Sequence, residues 1–246
     1  MWLKACLNGN RAPGAHPALP LSPAQLAADA ASVAQAGASA VHIHPRDTAG
    51  RESLAASDIG AAVAAVRAAA PGMPVGVSTG LWITGGDEAA RLRAVRAWAA
   101  LPARERPDFA SCNVSEPGFR ELTLALLDAG VGVEAGVWSE RDARALARSD
   151  VADKIMRVLI EIIDVPAGRA VAEARRVLDR LEALGVQAPR LLHGEGTATW
   201  PLLDEAVRLG LPGRIGLEDV LHGPSGEPVS GNGELAGLAL SRARDL

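Results

Sequence analysis

The sequence predicts an α/β chain folded as a single (β/α)8 TIM barrel, with residues 1–246 forming one catalytic domain. Three observations lead there. Short apolar runs of β character alternate with longer Ala/Leu/Arg stretches of helical period, eight of each. No stretch of linker composition divides the chain, and its 48% hydrophobic content is enough for one large core. Polar residues collect at the carboxyl ends of the apolar runs, the end where such a barrel does chemistry. A doubly wound open sheet is the competing fold, but no Gly-x-Gly-x-x-Gly opens the first β–α turn.

The first strand is read over residues 3–8. Ser22-Pro23 then supplies an N-cap with Pro in the first turn of a helix over 23–36, and Gly37 stops it. Val41 and Ile43 give the run 40–44 its β-branched character, and Pro45 ends it. A helix over 57–70 leads to the third strand, 74–78, and a helix over 87–100 to the fourth, 109–114. The helix 118–129 is closed by Gly130, before a short strand over 131–134 and a helix over 140–148. The sixth strand, 157–162, precedes the long helix 167–184, which Gly185 terminates. Strand 190–193, helix 201–209 with Gly210 behind it, strand 214–218 and helix 232–244 complete the eight units.

Composition excludes several classes of function. A net charge of −4 without blocks of like charge argues against a nucleic-acid or membrane-surface partner. The Ala-rich stretches are broken by Arg, Asp and Glu, so no run reaches membrane-spanning length. The first residues lack the apolar core and cleavage site of a signal peptide. Cys6 and Cys112 lie in different predicted strands and offer neither a disulfide framework nor metal-type spacing. A cytoplasmic location is the expectation.

Val41-His42-Ile43-His44-Pro45-Arg46-Asp47 is the segment richest in chemistry. On a strand, residues i and i+2 face the same way, so His42 and His44 project side by side, about 7 Å apart along the backbone. Arg214-Ile215-Gly216-Leu217-Glu218-Asp219 is the second such segment. Arg214, Gly216 and Glu218 share one face of the predicted last strand, and Glu218 at the mouth completes a set of two imidazoles and one carboxylate. That set suits Zn²⁺ with an open position for substrate, and Fe²⁺ uses the same ligand types. The remaining strand ends contribute Asn8, Ser78, Thr79, Ser111, Asn113, Glu134, Glu161, His193 and Glu195. So many converging ionisable groups are costly to bury without a ligand or metal, which points to an enzyme.

With His42-Ile43-His44-Pro45-Arg46-Asp47, Val77-Ser78-Thr79-Gly80 and Gly216-Leu217-Glu218-Asp219 in this order, the chain resembles the β-keto acid cleavage enzymes over nearly its whole length. The family includes 3-keto-5-aminohexanoate cleavage enzyme. The resemblance implies a TIM barrel, a homo-oligomer (dimer or tetramer), and a divalent metal, typically zinc. It also implies a retro-Claisen-type exchange in which a β-keto acid and acetyl-CoA give acetoacetate and a new acyl-CoA. By position, His42, His44 and Glu218 correspond to its metal ligands, and Arg214 and Asp219 to the pair that helps generate the enolate. Ser78 matches a substrate-binding serine, Ser111 stands where the family has a threonine, and Glu134 matches a site glutamate. A substrate-contacting acid of the family falls on Arg11, which suits an anion instead.

On this reading Ser78, Thr79 and Asn113 supply neutral hydrogen bonds to carbonyl oxygens. Arg214 clamps a carboxylate or orients Asp219. Glu134 orients a ligand imidazole or moves a proton, the first being favoured. Arg46 either binds an anion or pairs with Asp47, and His193 lines the pocket. Trp82, Trp138 and Trp200 either wall the pocket or pack between loops. Two other readings stay open: metal-dependent hydrolysis or aldol-type cleavage without CoA, and an inactive metal-loaded barrel that binds a small anion.

Overall fold

The computed structural model describes residues 1–246 and is a closed barrel of eight parallel strands, each followed by a helix. The strands are β1 (Leu3–Cys6), β2 (Ala40–Ile43), β3 (Val75–Ser78), β4 (Phe109–Asn113), β5 (Gly132–Val137), β6 (Arg157–Ile162), β7 (Arg190–Gly194) and β8 (Gly213–Ile215). The principal helices are α1 (Pro23–Ala36), α2 (Ala56–Ala69), α3 (Glu88–Ala97), α4 (Phe119–Asp128), α5 (Glu140–Ala147), α6 (Ala167–Ala183), α7 (Thr199–Arg208) and α8 (Asn232–Asp245). Each strand pairs with its neighbours in sequence order. The ring closes where Leu3, Lys4 and Ala5 of β1 register with Gly213, Arg214 and Ile215 of β8. No helix is long and apolar enough to cross a membrane.

Local signals explain where the elements start and stop. Ser22 and Gln25 form a reciprocal capping box at the head of α1, and Gly37 closes it in the left-handed region at φ 101°. Asp87 and Ser139 cap α3 and α5 through their side chains. The apolar layer lies between the strands and the helices, as one cluster of 57 buried residues. The barrel interior is separate from it: Phe109, Leu159 and Leu191 are buried there but lie outside that cluster. This division follows from strand alternation, which sends one face of every strand outward to the helices and the other into the lumen.

Four strand limits differ from the sequence reading and move a polar residue. β2 stops at Ile43, which leaves His44 just beyond it. β1 stops at Cys6, which leaves Asn8 in the following turn. β8 ends at Ile215, because the chain turns at once, with the amides of Asp219 and Val220 both donating to Gly216 O. β5 runs on to Val137, three residues past the expected end at Glu134. Glu134 therefore lies low in the barrel. There it accepts from Lys4 Nζ at 2.5 Å and pairs with Arg157 Nε at 3.1 Å, beneath the Phe109 ring that both cations face. These residues form a charged floor to the lumen.

Candidate functional site

At the carboxyl end of the strands lies a cavity of about 240 Å³, lined by residues from nearly every β–α junction. β2 brings His42 into it, and His44 follows one residue beyond the strand end. Their Nε2 atoms stand 3.1 Å apart. Glu218, from the turn after β8, places Oε2 3.9 Å from His42 Nε2 and Oε1 3.6 Å from His44 Nε2. Gly9 makes room for this, since a Cβ there would meet Glu218 Cγ at 2.5 Å. Two ligands of a tetrahedral ion with bonds near 2.05 Å lie about 3.3 Å apart, close to the separations found among these three residues. Glu218 Oε2 is buried with no hydrogen-bond donor. The donor set, its spacing and the unpartnered oxygen fit a divalent metal bound by His42, His44 and Glu218.

In the absence of a metal, the electrostatics act differently on the three groups. Burial pushes the His42 imidazole well below its ordinary pKa, keeping it neutral as a ligand must be. Burial also acts most strongly on His44, but Glu218 and Glu52 outweigh it and bring the group up to about 9. Burial would raise Glu218, yet Arg214 and the two histidines hold it well below the usual carboxylate range.

Beside Glu218 sits a second charged group. Arg214 Nη2 donates to Asp219 Oδ1 at 2.5 Å and to Glu218 Oε1 at 2.8 Å, and its Nε lies 3.2 Å from Asp219 Oδ1. Gly216 brings β8 against β1 here, for a Cβ would land 1.9 Å from Cys6 O. Asn232, from α8, accepts from Leu217 N and donates to Leu7 O, fixing the turn that carries Glu218. Across the cavity, Glu161 accepts from Trp138 Nε1 at 3.1 Å and contacts His193 Nε2 at 3.1 Å. Gly136 leaves space for Glu161 and Asn113, whose oxygens a Cβ would strike at 2.7 and 2.5 Å. Asn113 donates to Glu116, so its amide oxygen is turned toward Gly136.

The structure gathers His42, His44, Glu218, Arg214, Ser78, Ser111, Asn113, His193, Trp82 and Trp138 around one cavity, and Asp219 joins them through Arg214. Other expected residues are placed elsewhere. Glu134 is in the charged floor and touches neither histidine. Arg46 neither faces the cavity nor pairs with Asp47. Its guanidinium donates to the carbonyls of Gly9, Arg11 and Gly50, while Asp47 pairs with Arg51. Arg11 is held on Leu217 O and lines a neighbouring cleft with Trp200 and His222. Thr79 spends its hydroxyl on Ser111 O. Two contributors had no sequence signal: Asn10 in the first loop, and Glu52, whose Oε1 lies 2.5 Å from His44 Nδ1.

The sequence model of the beta-keto acid cleavage enzyme family matches residues 1–246. No curated protein matches the chain. The apo structure of ObcA superposes with a TM-score of 0.75 at 20% identity, covering 92% of this chain and 61% of that one. A ternary complex of ObcA with a C4-CoA adduct and oxalate gives 0.76 at 19% identity, covering 93% and 64%. The 3-dehydroquinate dehydratase of Geobacillus kaustophilus HTA426 gives 0.62 at 10% identity, covering 99% and 91%. At these identities the shared property is the fold. The chain spans less than two thirds of the ObcA chains it matches.

Proposed function

Because the chain belongs to the beta-keto acid cleavage enzyme family, we propose that it cleaves a β-keto acid by exchange with acetyl-CoA. The products are acetoacetate and the acyl-CoA of the remaining fragment. The observation that carries this reading is the meeting, in one cavity, of the His42–His44–Glu218 donor set with the Arg214–Asp219 pair. That ObcA, which shares this fold, forms complexes with oxaloacetate and with a C4-CoA adduct supports a keto acid and a CoA derivative as ligands.

His42, His44 and Glu218 would hold the metal, zinc in our reading. When bound there, such an ion would supply Lewis acidity toward the ketone and toward developing oxyanion charge. Asp219 is the proton acceptor that generates the enolate, and Arg214 holds its carboxylate in place through two nitrogens. Arg214 Nη2 also reaches Glu218 Oε1, which fixes the base relative to the metal ligand. Ser78 and Ser111 offer neutral hydrogen bonds to substrate oxygens from the facing wall. Trp82 and Trp138, both partly exposed at the mouth, cover the substrate and limit water.

The test is incubation of the zinc-loaded protein with a panel of β-keto acids, with and without acetyl-CoA. Acetoacetate and acyl-CoA should form in equal amounts, and Asp219→Asn should abolish turnover while retaining zinc. Cleavage without acetyl-CoA would replace the exchange by a hydrolytic or aldol-type reaction. Absence of turnover across the panel would refute the activity.

A further inference from the structure

The two histidines of the site are not held alike. His42 Nδ1 is buried without a hydrogen-bond partner, whereas His44 Nδ1 meets Glu52 Oε1 at 2.5 Å. The second oxygen of Glu52 accepts from Trp82 Nε1 at 3.0 Å, and the Trp82 ring lies over His44, with centroids 6.4 Å apart and planes inclined by 23°. Gly80 permits this placement, because a Cβ there would fall 2.1 Å from the indole.

Glu52 stands eight residues after His44, on a loop that is braced on both sides. Asp47 N donates to Arg51 O, Ser53 N donates to Pro45 O, and Arg46 bridges to Glu52 across a short antiparallel pair. The Arg46 guanidinium, bound to three carbonyls, ties this loop to the first β–α loop. An ionised carboxylate only accepts, so Glu52 takes the Nδ1 proton of His44, and Nε2 faces the point where His42 and Glu218 converge; with a metal at Nε2, the single ring proton is the one on Nδ1.

We propose that Glu52, steered by Trp82, is a positioning residue for the metal site: it fixes the tautomer and plane of His44 and strengthens metal binding. The inference rests on His44 being a ligand, as in the function proposed above. Partners of this kind hold a ligand imidazole in register and raise its basicity, and their loss typically weakens metal affinity about 10- to 100-fold. Trp82 acts through Glu52, by holding the outer oxygen and covering the imidazole face.

The experiment measures zinc affinity by competition with a chromophoric chelator, independently of any substrate. Glu52→Gln should weaken zinc binding about 10- to 100-fold. Trp82→Phe keeps an aromatic face, loses the indole donor, and should weaken binding by a smaller factor. The double variant should bind about as well as Glu52→Gln alone, because the tryptophan has nothing left to steer. Arg51→Ala, on the same loop but pointing to solvent, should leave affinity unchanged. In cobalt-substituted protein, the visible absorption bands should shift in Glu52→Gln and not in Arg51→Ala. Zinc affinity within twofold of wild type in Glu52→Gln would overturn the proposal, as would additive losses in the double variant. Should Glu52→Gln fail to fold, an unchanged affinity in Trp82→Phe would overturn the steering role and a weakened one would support it. Failure of the wild-type protein to bind zinc, or retention of zinc by His44→Ala, would instead refute the ligand assignment.

Discussion

Replacing Lys4 by Met tests whether Glu134 belongs to the barrel floor or to the chemistry. Both side chains of the Lys4–Glu134 pair are fully buried, at 0% exposure, and 2.5 Å apart. Removing the ammonium leaves a carboxylate without access to water, its charge shared only with Arg157, which is 15% exposed. Breaking a buried pair from one side costs about 3–5 kcal/mol, a large share of a typical domain's stability of about 5–15 kcal/mol. Glu134→Gln strands the Lys4 ammonium in turn. Its remaining partner is the Phe109 face at 5.7 Å. A contact of that kind is worth about 0.5–2 kcal/mol and does not replace the carboxylate. The double variant removes both charges, while Arg157 keeps its stack on Trp2 at 4.5 Å. It should therefore cost less than the sum of the singles by about 2 kcal/mol or more. Urea denaturation of the metal-free protein measures these differences, and zinc affinity should stay within twofold in all three variants. A loss under about 1 kcal/mol in Lys4→Met would refute the floor role. Strict additivity would do the same. A tenfold loss of zinc affinity in Glu134→Gln would return that glutamate to the site.

Gly9→Ala should act on Glu218 alone. Gly9 has φ 56°, and the new methyl would lie 2.5 Å from Glu218 Cγ, so the carboxylate must move. The left-handed backbone adds about 1–2 kcal/mol of strain. Zinc binding should weaken about tenfold or more, and unchanged affinity would show that Glu218 is not a ligand. Asp29 offers a test by pH. Burial raises its carboxyl from 3.8 to about 6, against a hydrogen bond from Asn232 Nδ2 at 2.6 Å. The folded state therefore holds the proton more tightly than the unfolded chain. Nothing is lost below pH 3.8, and the destabilisation is complete above about pH 6, where it amounts to at most about 3 kcal/mol. The stability of Asp29→Asn relative to wild type should accordingly rise between pH 4 and 6.5, and a difference flat in pH would contradict the shift.

Much of the site was legible because strand alternation is strict. His42 and His44 follow a Val/Ile run with two-residue period, and both point where that period requires. Glu134 was misplaced for a definite reason. Ala135 and Gly136 are poor strand formers, so the run looked finished, yet both are buried in β5. The residue of β5 nearer the mouth is Gly136, whose missing side chain accommodates Asn113 and Glu161. Glu218 reached the mouth by a turn rather than along a strand face. Arg46 and Glu52 were opaque because loops have no period: an arginine that binds carbonyls and one that binds a substrate anion read alike in sequence. Asp47 likewise found its partner in Arg51, through a turn that only the folded loop defines.

The separation between the lumen and the 57-residue apolar layer has a consequence for how this barrel can change. If the chain has the activity proposed above, selection for folding acts on residues that face the helices, and selection for catalysis on residues that face inward. The two sets share strands but not side chains. On the function proposed above, diversifying Ser78, Ser111, Asn113 and Trp138 would alter substrate contacts without disturbing the packed layer, because none of these side chains belongs to it. The limit on such diversification is vertical. Below the cavity, Lys4, Glu134 and Arg157 hold one another in balance, and a change at any one of them must be matched at the others.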